Sequence, residues 1–324
     1  GMLVDYRLSR TEILERLRLE AQETITGTIL DLENLLDGVE GSTRFLGTIL
    51  QQREYTREGL EQLLKDIVEN NEDIFGSTIA LNPELVDDPL GFAPYYFHNE
   101  GILTRADLAE ERNNYQDQHW FLEPIRVGKP VWVEPYFDRA GGEILMTTFS
   151  VPVFRVGEEG QRFLYAVVTA DVALDELQRY IRRLRLGEHG FGLLLSKKGV
   201  ILAAKNPENI MRHYLETHQA EQDRGTWQEM FESALRGDVL ARETTCDNIP
   251  GTCVVRLGSM DSTGWPIGVL YSQDEILAPL QEYQLRTALV SILTLLVMAI
   301  AVATITRRLT APLSMLASAS DAFA

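Results

Sequence analysis

The sequence predicts an α+β chain: a long N-terminal helix, two antiparallel-sheet units in tandem, and a transmembrane helix behind them. Three observations carry this. Thr11 to about Leu64 has few breakers beyond Gly27, Gly38, Gly41 and Gly47, as a helix requires. From Ile74 the pattern changes to short apolar runs bounded by Gly, Pro and Asn, as strands and turns require. Finally, the twenty residues Thr287 to Thr306 carry no charge. At about 1.5 Å per helical residue they cover about 30 Å, the thickness of a bilayer's hydrocarbon core.

Composition bounds the rest. The 324 residues are 45% hydrophobic and 24% charged, ordinary for a chain that buries one or two cores. Lys and Arg number 30 against 48 Asp and Glu, a formal charge of -18, which repels phosphate backbones and excludes nucleic acid as a partner. Gly1 ahead of Met2 reads as an added residue, and a second span is expected upstream of it.

The elements follow in order. In the first helix, residues 1–73, Ile25, Leu32, Val39 and Leu46 recur every seven, with Ile29, Leu36 and Leu50 on a neighbouring row. That stripe suits a partner helix in a homodimer or packing on its own domain. A first α+β unit, 74–186, takes "IFGSTIAL", "GFAPYYF", "PVWVEPYF", "ILMTTFSVPVF" and "RFLYAVVTADV" as strands. "TRADLAEERNN" and "ALDELQRYIRRLRL" read as helices. A smaller unit, 187–273, takes "GFGLLLS", "GVILAA", "DVLARETT", "TCVVRL" and "WPIGVLYS" as strands around a helix near Gln228 to Leu235. Its apolar residues go to strand alternation and core, so it is expected to transmit and not to bind. Residues 274–306 form a connecting and membrane helix, broken only by Pro279. Before Arg286 stand 27 basic and 47 acidic residues, and Arg307 and Arg308 follow the span. The positive-inside rule then puts the bulk of the chain outside an inner membrane and residues after about 306 in the cytoplasm.

One group of residues suits a small-molecule pocket. Trp120, Phe121, Trp132 and Tyr136 supply flat apolar surfaces, and Gln118, Asp138, Thr148, Ser150 and Asp171 supply polar groups. Each Trp is equally suited to a core anchor. Asp171 lies within the apolar run "LYAVVTADVAL", where an unpaired carboxylate is costly, so it needs a cationic or hydrogen-bonding partner; a helix N-cap for "ALDEL" is the competing role. Cys246 and Cys253 flank a turn-like Asp-Asn-Ile-Pro-Gly-Thr segment between β-branched residues. That is consistent with a hairpin closed by a disulfide, or with two free thiols.

Other chemistry is absent from the motifs. No HExxH, GxGxxG, phosphate loop or GxSxG occurs, and no cofactor or active site is expected. His213 and His218 lie five apart on a polar stretch and read as solvated. Glu134, Asp138 and Glu143 around "AGG" lack the spacing of a calcium loop and read as a turn.

The string "HWFLEPIRVGKPVWVEPYFDRAGGEILMTTFSVPVFR" with "FLYAVVTADVALDEL" resembles the double Cache family of bacterial extracytoplasmic sensors, and the order of parts is similar across nearly the whole chain. The resemblance implies two PAS-like units, a ligand pocket in the membrane-distal one, and no enzymatic activity in this stretch. "RRLTAPLSMLASASDAFA", residues 307–324 with Pro312, resembles the start of a HAMP linker, which implies a cytoplasmic kinase, cyclase, phosphatase or chemotaxis module beyond it. Family members that bind amino acids resemble one another in an Arg two places before the Trp, a Tyr after it, and an Asp matching Asp171, of which Asp171 is in place. The Arg and Tyr places hold Gln118 and Phe121, which removes the guanidinium clamp for a ligand carboxylate. Two functions are open: a sensor that passes a helix movement through the membrane, and a membrane-anchored hydrolase or adhesion module whose pocket is structural.

Overall fold

The computed structural model describes residues 2–110, 113–184, 186–217, 221–244, 246 and 249–321. Two compact units result, residues 17–273 and the two chain ends, 1–16 with 274–324.

The N-terminal segment is two helices, α1 (Met2–Gln52) and α2 (Arg57–Glu69), not the single one expected through Leu64. Two local partners explain the break. Arg155 donates to the Leu50 and Arg53 carbonyls, satisfying the end of α1 from a distant strand. Thr56 then caps α2, its hydroxyl accepting from the Gly59 amide at 3.2 Å. Leu32, Leu36, Val39, Leu46 and Leu50 are buried within the same chain, so the heptad stripe packs on its own domain.

Strands β1 (Gly76–Leu81), β2 (Pro94–Asn99), β3 (Ile102–Asp107), β4 (Ala109–Glu110) and β5 (Asn113–Asn114) precede helix α3 (His119–Val127). Then come β6 (Val131–Trp132), β7 (Tyr136–Phe137), β8 (Leu145–Val156), β9 (Arg162–Ala173) and α4 (Leu174–Ile181). They form an antiparallel sheet in the order β3-β2-β1-β9-β8-β6, with β7 also on β8; β4 and β5 pair apart. The "TRADLAEERNN" segment, expected as helix, is extended over its described residues. Thr104 pairs with Phe97 and Asp107 with Pro94, and sheet pairing overrides helical propensity there; Glu111 and Arg112 lie outside the described residues.

Register divides the first sheet by chemistry. Ile79, Phe149, Val151, Val168, Ala170 and Val172 face the core shared with α1, α2 and α4. The opposite face carries Thr78, Thr148, Ser150, Thr169 and Asp171, with Thr148 and Gly76 both paired to Asp171.

A second sheet follows: β10 (Phe191–Leu195), β11 (Ile201–Ala203), helix α5 (Glu221–Leu235), β12 (Leu240–Thr244), β13 (Cys253–Ser259) and β14 (Pro266–Ser272), in the order β11-β10-β14-β13-β12. One face packs Leu193, Leu195, Val255 and Leu257 against Trp227, Met230 and Phe231 of α5. Leu194, Leu202, Trp265 and Ile267 join the core of the first sheet. A disulfide links Cys246 and Cys253, Cα atoms 5.8 Å apart. The strands form a hairpin, but Cys253 pairs with Thr244, so Cys246 lies two residues past the end of β12 and not opposite its partner.

Helix α6 (Gln273–Asp321) continues directly from β14. Its segment Leu285–Thr306, 22 residues of mean hydropathy 2.7, is long and apolar enough to cross a membrane and is nowhere buried inside the chain.

Candidate functional site

The polar face of the first sheet is the floor of a cavity of about 670 Å³, and the start of α3 and the Val131–Ala140 segment are its walls. Asp171, only 2% exposed, lines it. The Thr148 hydroxyl donates to Asp171 Oδ1 at 2.6 Å. With that hydrogen committed, the Tyr136 hydroxyl is the donor in its 2.8 Å bond to Thr148 Oγ1. Asp171 therefore has the hydrogen-bonding partner that burial demanded. The N-cap role falls away: the cap of α4 is Ala173, without a side-chain bond.

Tyr95, which sequence reasoning missed, lines the same cavity. Its ring lies over Gly76 and against Gly141, and a Cβ on either glycine would overlap it. The hydroxyl is buried without a hydrogen bond of ordinary geometry, yet it lies beside Asp171 and lowers the pKa of that carboxyl. Burial dominates and, with the Asp138 charge, raises Asp171 to about 7 against the Thr148 and Tyr95 hydroxyls. Tyr95 and Tyr136 are both held well above the ordinary tyrosine range, first by burial and then by the Asp171 charge.

The structure brings Gln118, Trp120, Trp132, Tyr136, Asp138 and Asp171 onto one cavity wall. Thr148 stands behind, as the link between Tyr136 and Asp171. Phe121 is a correction: its ring packs edge-on to Tyr115, centroids 5.1 Å apart, in the core beneath the wall. Ser150 is another. It shares the face of Thr148 but lies off the cavity, paired with Val131 and Thr169. Asp138 lines the wall while its carboxylate accepts the amides of Ala140, Gly141 and Gly142, so its charge already serves the turn. Trp132 is partly committed too, its indole donating to Glu40 at 2.8 Å and its ring packing on Phe149 and Trp265.

The second sheet unit, expected to contribute nothing to a pocket, lends the exposed Lys197 and Lys198 of its β10–β11 turn to the cavity wall. No signal in "SKKG" foretold this, because it depends on how the two sheets meet. His213 caps a short turn, its Nδ1 accepting from Leu215, and His218 lies outside the described residues. Among the described residues no group of three or more His, Cys, Asp or Glu could hold a metal ion.

Residues 60–179 match the family described as methyl-accepting chemotaxis protein-like, first PDC sensor domain. The human voltage-dependent calcium channel subunit alpha-2/delta-4 is 29% identical over 169 residues, 45% of this chain and 14% of that protein. Methyl-accepting chemotaxis protein PscA of Pseudomonas syringae pv. tomato is 24% identical over 126 residues, 38% of this chain and 19% of that one. The chain thus spans less than a fifth of the length of either relative. Among solved structures, the extracellular domain of histidine kinase mmHK1S-Z3 matches with a TM-score of 0.66 at 18% identity, over 78% of this chain and 93% of that one. Residues 60–179 are thus similar to a sensor domain of this PDC type, and the chain shares the fold of that kinase's extracellular domain.

Proposed function

We propose that the chain is the extracytoplasmic sensor region of a bacterial transmembrane receptor. In this reading residues 74–186 are the membrane-distal unit, which binds a small solute; 187–273 are the membrane-proximal unit; and 274–306 carry the signal through an inner membrane. Residues 307–324 open a HAMP linker to a cytoplasmic effector, and the stretch described has no catalytic role. A homodimer through α1 belongs to the same reading. Because the Leu32 stripe is buried internally, it would use the opposite face, where Leu30 and Phe45 are exposed.

The observation that carries the proposal is the cavity itself. Its mostly apolar aromatic wall surrounds the buried, hydrogen-bonded carboxylate of Asp171, the composition of a site that orients a small polar ligand. Covalent continuity supports transmission, since β14 runs into α6 without an intervening loop. A ligand that binds only the folded chain raises its melting temperature, following RT ln(1 + [L]/Kd). A metabolite panel should therefore contain at least one compound that shifts the wild type and fails to shift Asp171→Ala. The proposal is wrong if every shift survives that substitution, or if none occurs and mass spectrometry of the purified chain finds no co-purified solute.

A further inference from the structure

One residue of the cavity wall also belongs to the core that the two sheets share. Strand β6 ends the path of the first sheet and pairs with β8. Trp132 stands opposite Phe149, which puts it on the core side, with the ring centroids 5.2 Å apart; at the sheet's edge it lines the cavity as well. Its ring centroid is 5.3 Å from that of Trp265 in the second unit. The indole N–H donates to Glu40 Oε1 of α1 at 2.8 Å, and the other Glu40 oxygen accepts from Arg44.

Trp265 closes the turn between β13 and β14. The Met260 amide donates to the Trp265 carbonyl at 2.9 Å, the Gly264 amide donates to the Met260 carbonyl at 2.9 Å, and Trp265 itself is buried. From α1, Glu33 accepts the Asp261 amide of the same turn at 2.6 Å. The stem of Lys197, on the cavity wall, lies against Gly264, where a Cβ would come within 3.2 Å of its Cε. From this turn β14 runs from Pro266 to Ser272, and α6 begins at the next residue.

These contacts restrict how Trp132 responds to an occupant. Turning the indole away from Glu40 leaves a buried donor unpaired, which is costly. Close-packed rings do not compress, so a displacement of Trp132 is handed to Trp265 and with it to the turn. A two-residue edge strand also shifts at less cost than the long central β8 and β9. The wall yields most easily at β6, beside Trp265.

We infer that Trp132 is the positioning residue that carries occupancy of the cavity into the second sheet, acting through Trp265 and the β13–β14 turn. This rests on the sensor reading and names the residue through which that site is coupled to β14 and so to α6.

An occupant tethered at a known position tests this without reference to the natural solute. Ala140 is half-buried and lines the cavity, and Cys246 and Cys253 are bridged to each other. Ala140→Cys, in the full chain in nanodiscs, is therefore labelled with benzyl methanethiosulfonate, and mass spectrometry confirms one benzylthio group per chain. Hydrogen exchange of peptides covering Pro266–Ser272 is compared with and without the label. The label should change exchange there by about threefold or more, the range of coupling between packed elements. Adding Trp132→Leu should abolish the difference, and Trp132→Phe, which keeps a ring against Trp265, should retain it. A role in packing alone would alter exchange equally in labelled and unlabelled chains and leave their difference intact. The circular-dichroism couplet of the Trp132–Trp265 pair, read in Ala140→Cys with both rings present, should change on labelling and decides the matter if Trp132→Leu does not fold. An exchange rate and couplet that ignore the label, or an exchange difference that survives Trp132→Leu, overturns the inference. If a metabolite still stabilises the chain through Asp171 in that case, the sensor reading stands and only the coupling through Trp132 falls. If no metabolite does and no solute co-purifies, the sensor reading falls and takes the inference with it.

Discussion

The two sheet units use the same elements for opposite ends. Each has an antiparallel sheet with one face against the shared core, and they differ in the other face. In the first unit that face carries hydroxyls and a carboxylate, Thr78, Thr148, Thr169 and Asp171, and about 670 Å³ above it is open. In the second it carries Leu193, Leu195, Val255 and Leu257, and α5 closes over them with Trp227 at 0% exposure. A sheet face lined by alternating aliphatics collapses onto a helix, because each side chain that leaves water for an apolar neighbour lowers the free energy. A face of partly satisfied polar groups does not, because covering it with apolar side chains would strand them. The cavity persists where packing would cost more than solvent or a ligand does.

The sharpest way to break that contrast is to open the closed face. Trp227→Ala removes the largest fully buried side chain and should lower stability by about 3–5 kcal/mol, read by urea denaturation. A loss below about 1 kcal/mol would mean that the second unit is not close-packed after all.

Next in size is the charge on the open face. The Asp171 carboxyl, ordinarily near 3.8, is pushed up to about 7. The folded chain therefore keeps a proton that the unfolded chain has released over most of that interval. The stability this group contributes is full below about pH 4 and is lost as pH rises through about 7, on the order of 4 kcal/mol across that interval. Melting curves of wild type and Asp171→Asn should thus diverge between about pH 4 and 8, with the wild type falling relative to the variant. Parallel profiles would show that the carboxylate is solvated and the face open to bulk water.

The smallest effect tests independence of the two regions. The Cys246–Cys253 bridge closes a short loop in the second unit, and constraining such a loop in the unfolded chain stabilises by about 2–3 kcal/mol. The double Cys246→Ser, Cys253→Ser variant should lose about that much while ligand affinity in the first unit stays within about twofold. A larger change in affinity would make the second unit part of the binding site, with Lys197 and Lys198 on the wall as the route.

Much of the architecture could be read from one dimension because it depends on local periodicity. Strand alternation, the uncharged run after Arg286 and the hairpin near Cys246 are patterns of neighbours, and neighbours are what a sequence records. Asp171 was partly legible for a related reason, since a carboxylate inside the apolar run "LYAVVTADVAL" needs a partner once buried, which the Thr148 hydroxyl supplies.

What the chain's order of residues left open was parity and meeting. Tyr95 and Tyr96 are adjacent and chemically the same, yet Tyr95 lies over Gly76 beside Asp171 while Tyr96 donates to Glu61 of α2 at 2.6 Å on the other face. A one-residue slip in register would exchange them, and register comes from pairing with distant strands. Ser150 shares the face of Asp171 but lies beyond the cavity, and Phe121 turns from its helix into the core beside Tyr115. The end of α1 was settled by Arg155, about a hundred positions along, and the lysines of "SKKG" by the packing of one sheet on another. Composition and periodicity by themselves determined that this protein has helices, sheets, a helix long and apolar enough to cross a membrane, and a buried acid. Which side chains share the cavity was decided only by the tertiary structure, because the free energy of burial depends on what arrives opposite and not on what stands next in the chain.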